Sequence, residues 1–270
     1  MTTAAPHLPD GWDPTLPAAD NLIKEYVLGY ADLMEAIAGA LGWPSVRNDR
    51  FVAIDATTPF PWQNCVVPLR PFGSNEVDDV VGEAESFFRA REGGPVLLWG
   101  GFPIPDLSDR GWTLIGHPPL MLRPVGGEAP PLPEGLEIGP VRAVDDLDQF
   151  TTTLVEAFPV HELAGLPLGG YGPALLDVDG WHMWVGRIDG RPVATAAAWV
   201  RGGVVGVEWI SARPETRGVG VGAAVTWAAT MSDPTRPAML IASDLGQPVY
   251  ARMGYLRLTR FTLWVGARST

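Results

Sequence analysis

Apolar positions along this chain recur at two spacings, and the switches between them mark out its elements. Leu22, Tyr26, Leu33, Ile37 and Leu41 fall at helical intervals and predict a helix over 18–41. Two apolar runs, 51–54 and 62–69, read as strands separated by the turn-rich Thr58-Pro59-Phe60-Pro61. A helix is expected over 75–91, ended by Gly93-Gly94-Pro95, then a strand over 95–99, a helical turn at 106–110 and a strand over 120–123. After the break at 124–133 the pattern gives a strand at 136–140, a helix at 143–157, a Gly- and Pro-rich loop at 158–171 and a helical piece at 172–178. Strands at 181–188 and 193–201 flank Asp189-Gly190, a strong hairpin dipeptide. A strand at 204–211, a helix at 223–231, a strand at 239–243, a short helix at 247–253 and a last strand at 258–265 complete the reading.

The break itself, Pro124-Val125-Gly126-Gly127-Glu128-Ala129-Pro130-Pro131-Leu132-Pro133, has the composition of a linker. It divides the chain into 1–123, 124–133 and 134–270. The two halves look related. Pro95-Val96-Leu97-Leu98-Trp99 parallels Pro237-Ala238-Met239-Leu240-Ile241, and Gly111-Trp112 with Leu120-Met121-Leu122 parallels Gly254-Tyr255 with Leu263-Trp264-Val265.

Composition adds bounds rather than identity. A hydrophobic content of 46% with 32 Gly and 27 Pro describes a folded globular chain. One cysteine, Cys65, excludes an internal disulfide and favours a reducing compartment. The first twenty positions carry Asp10, Asp13 and Asp20 and no apolar core, so no signal peptide is expected; no run is long enough to span a bilayer, and a cytoplasmic protein is expected. A net charge of −12 argues against nucleic acid as a partner and mildly favours a cationic acceptor.

The most informative segment follows the strand at 204–211. Arg217-Gly218-Val219-Gly220-Val221-Gly222-Ala223 places three alternating glycines between a strand and a helix. Glycine lets backbone approach a ligand closely, and the helix start directs unpaired N–H groups and a positive dipole end at it. Such a turn suits a phosphate or pyrophosphate. It is not a P-loop, since the only lysine is Lys24, and Gly-x-Gly-x-Gly so near the chain's end is not the Rossmann fingerprint. Arg201, Arg213 and Arg217 are expected to gather near the loop against Glu208 and Glu215.

The segment Pro214-Glu215-Thr216-Arg217-Gly218-Val219-Gly220-Val221-Gly222, with Val249-Tyr250-Ala251-Arg252-Met253-Gly254-Tyr255 at the spacing expected, resembles the acyl-CoA loop and terminal signature of the GNAT superfamily of N-acetyltransferases. The resemblance covers 134–268, whose element order also matches. It implies an α/β fold with a mixed sheet, a GNAT acyltransferase fold in the C-terminal half, preceded by a smaller, degenerate GNAT-like α+β domain. The first half carries Arg70-Pro71-Phe72-Gly73-Ser74-Asn75 where the loop would be, and one glycine with a proline cannot reproduce it.

The resemblance further implies direct transfer of an acetyl group from acetyl-CoA to an amine of a small molecule or peptide, in a ternary complex, with no metal, membrane or nucleic acid; a homodimer stays open. A non-catalytic acyl-CoA-binding or scaffold protein, and an O-acyltransferase or longer-chain acyltransferase, are the alternatives. Main chain at Ile210, Ser211 and Ala212 would meet the pantetheine arm and the oxyanion, Ile210 lying at the family's strand bulge. Arg217, Gly218, Val219, Gly220, Val221, Gly222 and Ala223 would hold the pyrophosphate, and Tyr250 would protonate the leaving thiolate. Glu208, a lone carboxylate in an apolar strand, is the candidate base, expected on the face of Gly206 and Ile210 and opposite Val207 and Trp209.

The remaining conspicuous residues take plainer roles. His161 and Glu162 lie where such proteins select an acceptor. His182 reads as a strand residue, Cys65 as a small buried hydrophobe, and Ser243 lacks a nucleophile elbow. The eleven tryptophans are spread over both halves and mostly signal core, although they could line an apolar acceptor pocket.

Overall fold

A computed structural model describes residues 21–158 and 160–268, so the expectations for 1–20 lie outside the described residues. The first helix, α1 (Leu22–Leu41), starts where the Asn21 side chain accepts the N–H groups of Ile23 and Lys24 at 3.1 and 3.2 Å. It stops at Gly42, which takes the left-handed conformation. Strands β1 (Ser45–Arg47), β2 (Phe51–Asp55) and β3 (Asn64–Pro68) form an antiparallel meander. The helix expected over 75–91 is broken into a 3₁₀ turn (Ser74–Glu76), a π-helical turn (Asp78–Gly82) and a short α2 (Glu83–Arg89). The wide turn carries the adjacent Val80 and Val81 both into the core. Strand β4 (Val96–Gly100) then runs parallel to β3, and β5 (Thr113–Gly116) and β6 (Pro119–Arg123) close the half.

The second half continues with β7 (Leu136–Pro140), α3 (Val144–Ala157) and three 3₁₀ turns. Strands β8 (Trp181–Ile188) and β9 (Arg191–Arg201) turn at Asp189 and Gly190, both at positive φ as the dipeptide predicts. Then come β10 (Val204–Ala212), α4 (Val221–Thr230), β11 (Ala238–Ile241), α5 (Gln247–Arg252), β12 (Leu256–Arg260) and β13 (Thr262–Gly266). The single strand expected over 258–265 is therefore two strands, parted at Phe261.

Those two strands belong to different sheets. One sheet has the order β1-β2-β3-β4-β13-β5 and the other β12-β6-β11-β10-β9-β8-β7. Each half ends in two strands, of which the first stays at the edge of its own sheet and the second inserts into the other half's sheet. The crossing connections pair with one another, the Phe261 N–H donating to the Pro118 carbonyl at 2.9 Å. Without the extra β7, the sheets repeat one plan: three antiparallel strands, one parallel strand, then an exchanged and an edge strand. The relatedness inferred from sequence is thus visible as topology.

The halves also share a core. One cluster runs from α1 through β2, β3 and β4 to α3, β8 and β9, while separate clusters lie beneath α2 and beneath α4 and α5. α1 packs on both sheets. Its Glu25 carboxylate accepts the Gly203 N–H at 3.0 Å, capping the β9–β10 turn from the other half. The Trp199 indole, fully buried, sits in a slot left by Gly29 of α1 and Gly206 of β10. A Cβ at either glycine would overlap the ring. Gly206→Ala should therefore lower unfolding stability by about 1–3 kcal/mol through overpacking. Urea denaturation checks this, and an unchanged midpoint would contradict the slot.

Candidate functional site

Strands β10 and β11 pair in parallel only at Val205 with Ala238 and Gly206 with Met239. Beyond that point β10 runs on to Ala212 alone on this side, while it stays paired with β9 on the other. In a ladder alternate residues point their N–H and C=O groups to alternate sides, so half the main-chain groups of 207–212 face the gap. The gap opens because β10 bulges. Its register against β9 shifts between Glu208 and Ser211, an interval that includes Ile210. Trp209 takes φ of +51°, rare for a bulky side chain and costing on the order of 1–3 kcal/mol. A polar pair from β9 holds this shape: the buried Thr195 hydroxyl donates to the Trp209 carbonyl at 2.9 Å, and the Ser211 hydroxyl therefore donates to Thr195 at 2.7 Å. Sequence reading missed Thr195, since nothing local distinguishes it from a strand threonine.

The bulge reverses one expectation. Strict alternation would put Ile210 with Glu208 and Trp209 opposite. Instead Trp209 joins Glu208 on the inner face, stacking near Tyr171 and Trp181 at 4.8 Å between ring centres, while Ile210 packs on the α4 side. The extra residue in the bulge shifts the phase of the pleat by one.

Glu208 is half-buried; its remaining exposure is to an internal cavity. One carboxylate oxygen accepts the Tyr26 hydroxyl at 2.8 Å and the Trp199 indole N–H at 3.4 Å. Burial pushes its pKa up to about 7, against the pull of those two donors. Tyr26 is itself held protonated, first by burial and then by the Glu208 charge. No sequence signal could have joined these residues, which lie on α1 and β10 in opposite halves.

Past the bulge, the chain turns at Pro214–Thr216 and enters the glycine loop. Gly218 and Gly220 have φ of +83° and +90°, which favour glycine, and Gly220 is the residue before α4. At Gly222 a Cβ would meet only the Ala212 Cβ at 3.7 Å, an ordinary contact. The first-turn N–H groups of Val221, Gly222 and Ala223 have no intrahelical acceptor, and with the helix dipole they form an anion-attracting end. Val219 is exposed beside them.

The arginines are placed differently from expectation. Arg201 lies at the far end of β9, donating to the Asp179 carbonyl. Arg213 pairs with Glu156 at 2.5 Å, Glu215 with Arg191 at 2.9 Å, and Arg217 donates to the carbonyls of Ala157 and Ala212. These side chains brace the loop. Its attraction for anions comes from main chain.

Tyr250, on α5, is buried beside Tyr255, and burial first, then Tyr255 and the Glu208 charge, holds its phenol well above the ordinary value. It lines the same cavity as Glu208, Ile210 and Ser243. The cavity, about 280 Å³, lies between the halves and is walled by Trp62, Trp99, Tyr171, Trp181 and Trp209 among others. Four of the tryptophans thus line a pocket and do more than fill core. His161 and Glu162 are exposed on a 3₁₀ turn, and the cavity takes their neighbours Val160 and Leu163 instead. His182 is an exposed strand residue, and Cys65 is buried with its thiol pushed up to about 12. Among the described residues no three His, Cys, Asp or Glu side chains gather as a metal site requires, and no helix is long and apolar enough to cross a membrane.

This topology matches the fold of solved GNAT acetyltransferases. Solved structures of matching fold include a GCN5-related N-acetyltransferase from Kribbella flavida, at 21% identity and TM-score 0.63 over 89% of this chain and 96% of that one. A tandem GNAT protein from the clavulanic acid biosynthesis pathway matches at 14% identity and TM-score 0.55, over 94% and 98%. A third, a GCN5-related N-acetyltransferase from Sphaerobacter thermophilus, matches at 15% and 0.51, over 90% and 92%. At these identities the likeness is one of fold. No family model and no curated protein matches the sequence. The chain carries the GNAT fold in its C-terminal half and a degenerate GNAT-like version in its N-terminal half, arranged in tandem.

The raised pKa of Glu208 sets a pH dependence. Folded, the carboxyl holds its proton to about 7; unfolded, it releases it near 4.5. The native state binds more protons between these values, so this group's contribution to stability falls as pH rises from about 4.5 to 7 and is level above. Glu208→Gln should remove that component, gaining on the wild type between pH 5 and 8 in urea unfolding. Tyr26→Phe, which deletes a donor to the carboxylate, should move the inflection to higher pH. A wild-type-to-Gln difference that does not vary with pH would contradict the buried carboxyl.

Proposed function

We propose that this protein is an acetyl-CoA-dependent N-acetyltransferase working in the cytoplasm by direct transfer in a ternary complex. One observation carries the reading: β10 and β11 part after Gly206 and Met239, the cavity holding Glu208 and Tyr250 lies where they part, and β10 runs on past it into the glycine loop and the amide-rich start of α4. A coenzyme A laid in that gap has its pyrophosphate at Arg217, Gly218, Val219, Gly220, Val221, Gly222 and Ala223, where the N–H groups of the loop and first helical turn donate to it. Its pantetheine arm takes the place of the missing strand against the main chain of Ile210, Ser211 and Ala212. The thioester then reaches the bulge, where a freed amide near Ile210 can donate to the developing oxyanion.

The chemistry needs three proton movements. Ionised Glu208 takes a proton from the acceptor's ammonium, and the neutral amine attacks the thioester carbonyl. The nitrogen of the tetrahedral intermediate sheds its second proton to solvent, the oxyanion collapses, the carbon–sulfur bond breaks, and the Tyr250 hydroxyl gives its proton to the departing thiolate. Solvent restores the tyrosine. Holding both substrates in one cleft supplies much of the remaining rate.

Purified protein tested with acetyl-CoA and a library of amines decides the matter. Tyr250→Phe should lower kcat by about 10²-fold while leaving acetyl-CoA affinity intact. Wild-type kcat/KM should rise with pH to a plateau above about 7, and Glu208→Gln should lose that limb. Gly220→Val should weaken acetyl-CoA binding in calorimetry, because the loop's φ of +90° suits glycine. Acetyl-CoA bound with no amine turned over would favour a binding or scaffold protein. Acetyl-CoA not bound at all would remove the reading.

A further inference from the structure

The N-terminal half has no glycine loop of its own, yet it builds one wall of the cavity. Tyr30, Leu33, Met34 and Ile37 project from one face of α1, at the spacings of neighbouring helical turns. Phe60 and Trp62, stacked at 5.2 Å, extend that wall; Trp62 is the exposed tryptophan among those described and so stands at the rim. The facing wall is the Tyr171, Trp181 and Trp209 group of the C-terminal half.

The charge pattern of the lining is as informative as its apolarity. Among the described residues it contains no Arg, Lys or His, and one carboxylate, Glu208. An acceptor bearing a carboxylate or phosphate would lose its hydration there with no cation to meet it, and a second ammonium would find no counter-ion. A single ammonium has one partner. The size is bounded too: about 280 Å³ is roughly twice the ~150 Å³ of an apolar cavity that takes benzene, leaving room for one ring-sized body and the thioester end.

We propose that the acceptor is a primary amine of single positive charge on a compact, ring-sized apolar body, selected by the wall that the N-terminal half supplies. The proposal rests on the transferase reading above and adds the substrate class. The N-terminal half is then half of the acceptor site.

The test compares four probes on the full chain at pH 8, by calorimetric binding and by acetylation: 2-phenylethylamine, L-phenylalanine, 2-phenylethanol and 1,4-diaminobutane. Phenylalanine adds a carboxylate to the same body, phenylethanol removes the ammonium, and the diamine removes the apolar body. 2-Phenylethylamine should bind at least about tenfold more tightly than each of the others, and Trp62→Ala should weaken it about tenfold while acetyl-CoA binds as before. Equal or tighter binding of phenylalanine or the diamine overturns the proposal. Acetylation confined to polar amines overturns it too, with the transferase reading left standing. Selective binding of 2-phenylethylamine without acetylation of any probe removes the transferase reading and the acceptor role with it.

Discussion

The two-residue parallel contact between β10 and β11 is the constraint from which the rest of the molecule opens. Buried backbone N–H and C=O groups are expensive to leave unpaired, and a sheet normally pairs them along its whole length. Here pairing ends at Gly206 and Met239, where β10 gains a residue at Trp209 and β11 pairs on its other side with the inserted β6. The strained backbone at Trp209 persists because its surroundings fix it: Thr195 holds its carbonyl, and three aromatic rings hold its indole. Backbone groups lining such a gap are an unmet demand for hydrogen bonds, which an extended amide-bearing ligand arm can meet.

Strand exchange explains why the gap does not collapse. The strand beside β11 comes from the other half, so closing the cleft would drag the N-terminal sheet with it. The return strand is anchored as firmly. Arg268, just past β13, makes a two-pronged contact with the fully buried Asp55 of β2, at 2.8 and 2.5 Å. Charge-assisted, bidentate pairs of this kind fix geometry strongly. Breaking one by removing a partner leaves a buried charge unpaired. The two halves consequently act as one folded body, with α1 packed on strands of both sheets.

How much of this was legible in the chain follows the range of each interaction. The Asn21 cap, the Asp189-Gly190 turn and the positive-φ glycines at Gly218 and Gly220 depend on neighbouring residues, and each announces itself within a few positions. The likeness of the halves was legible because it repeats. Other features were not. An alternating apolar pattern is the same whichever sheet a strand enters, so 258–265 looked like one strand instead of two in separate sheets. A bulge changes the pleat's phase without changing composition, which put Trp209 on the wrong face. The broken helix at 75–91 keeps helical apolar spacing through a π turn that only its packing requires. Arg201, Arg213 and Arg217 were expected to gather at the loop against Glu208 and Glu215, because sequence does not reveal that Arg213 pairs with Glu156, Arg191 takes Glu215, and main-chain carbonyls engage all three.

Glu208 shows most directly why both halves are needed. Its pKa near 7 is a balance between burial, which raises it, and the donors Tyr26 and Trp199, which lower it. The first of those donors belongs to α1, as does part of the wall that buries the carboxylate. Without α1 the same glutamate would lose part of the burial that raises its pKa and would lie nearer the ordinary carboxylate value, a weaker acceptor of protons. With burial alone and no donors, it would hold its proton above neutrality and be unable to accept another. A base matched to neutral pH needs both effects at once. In this fold they come from a helix in one half and a strand in the other, so the degenerate half contributes to the proposed chemistry without containing any of the nucleotide site.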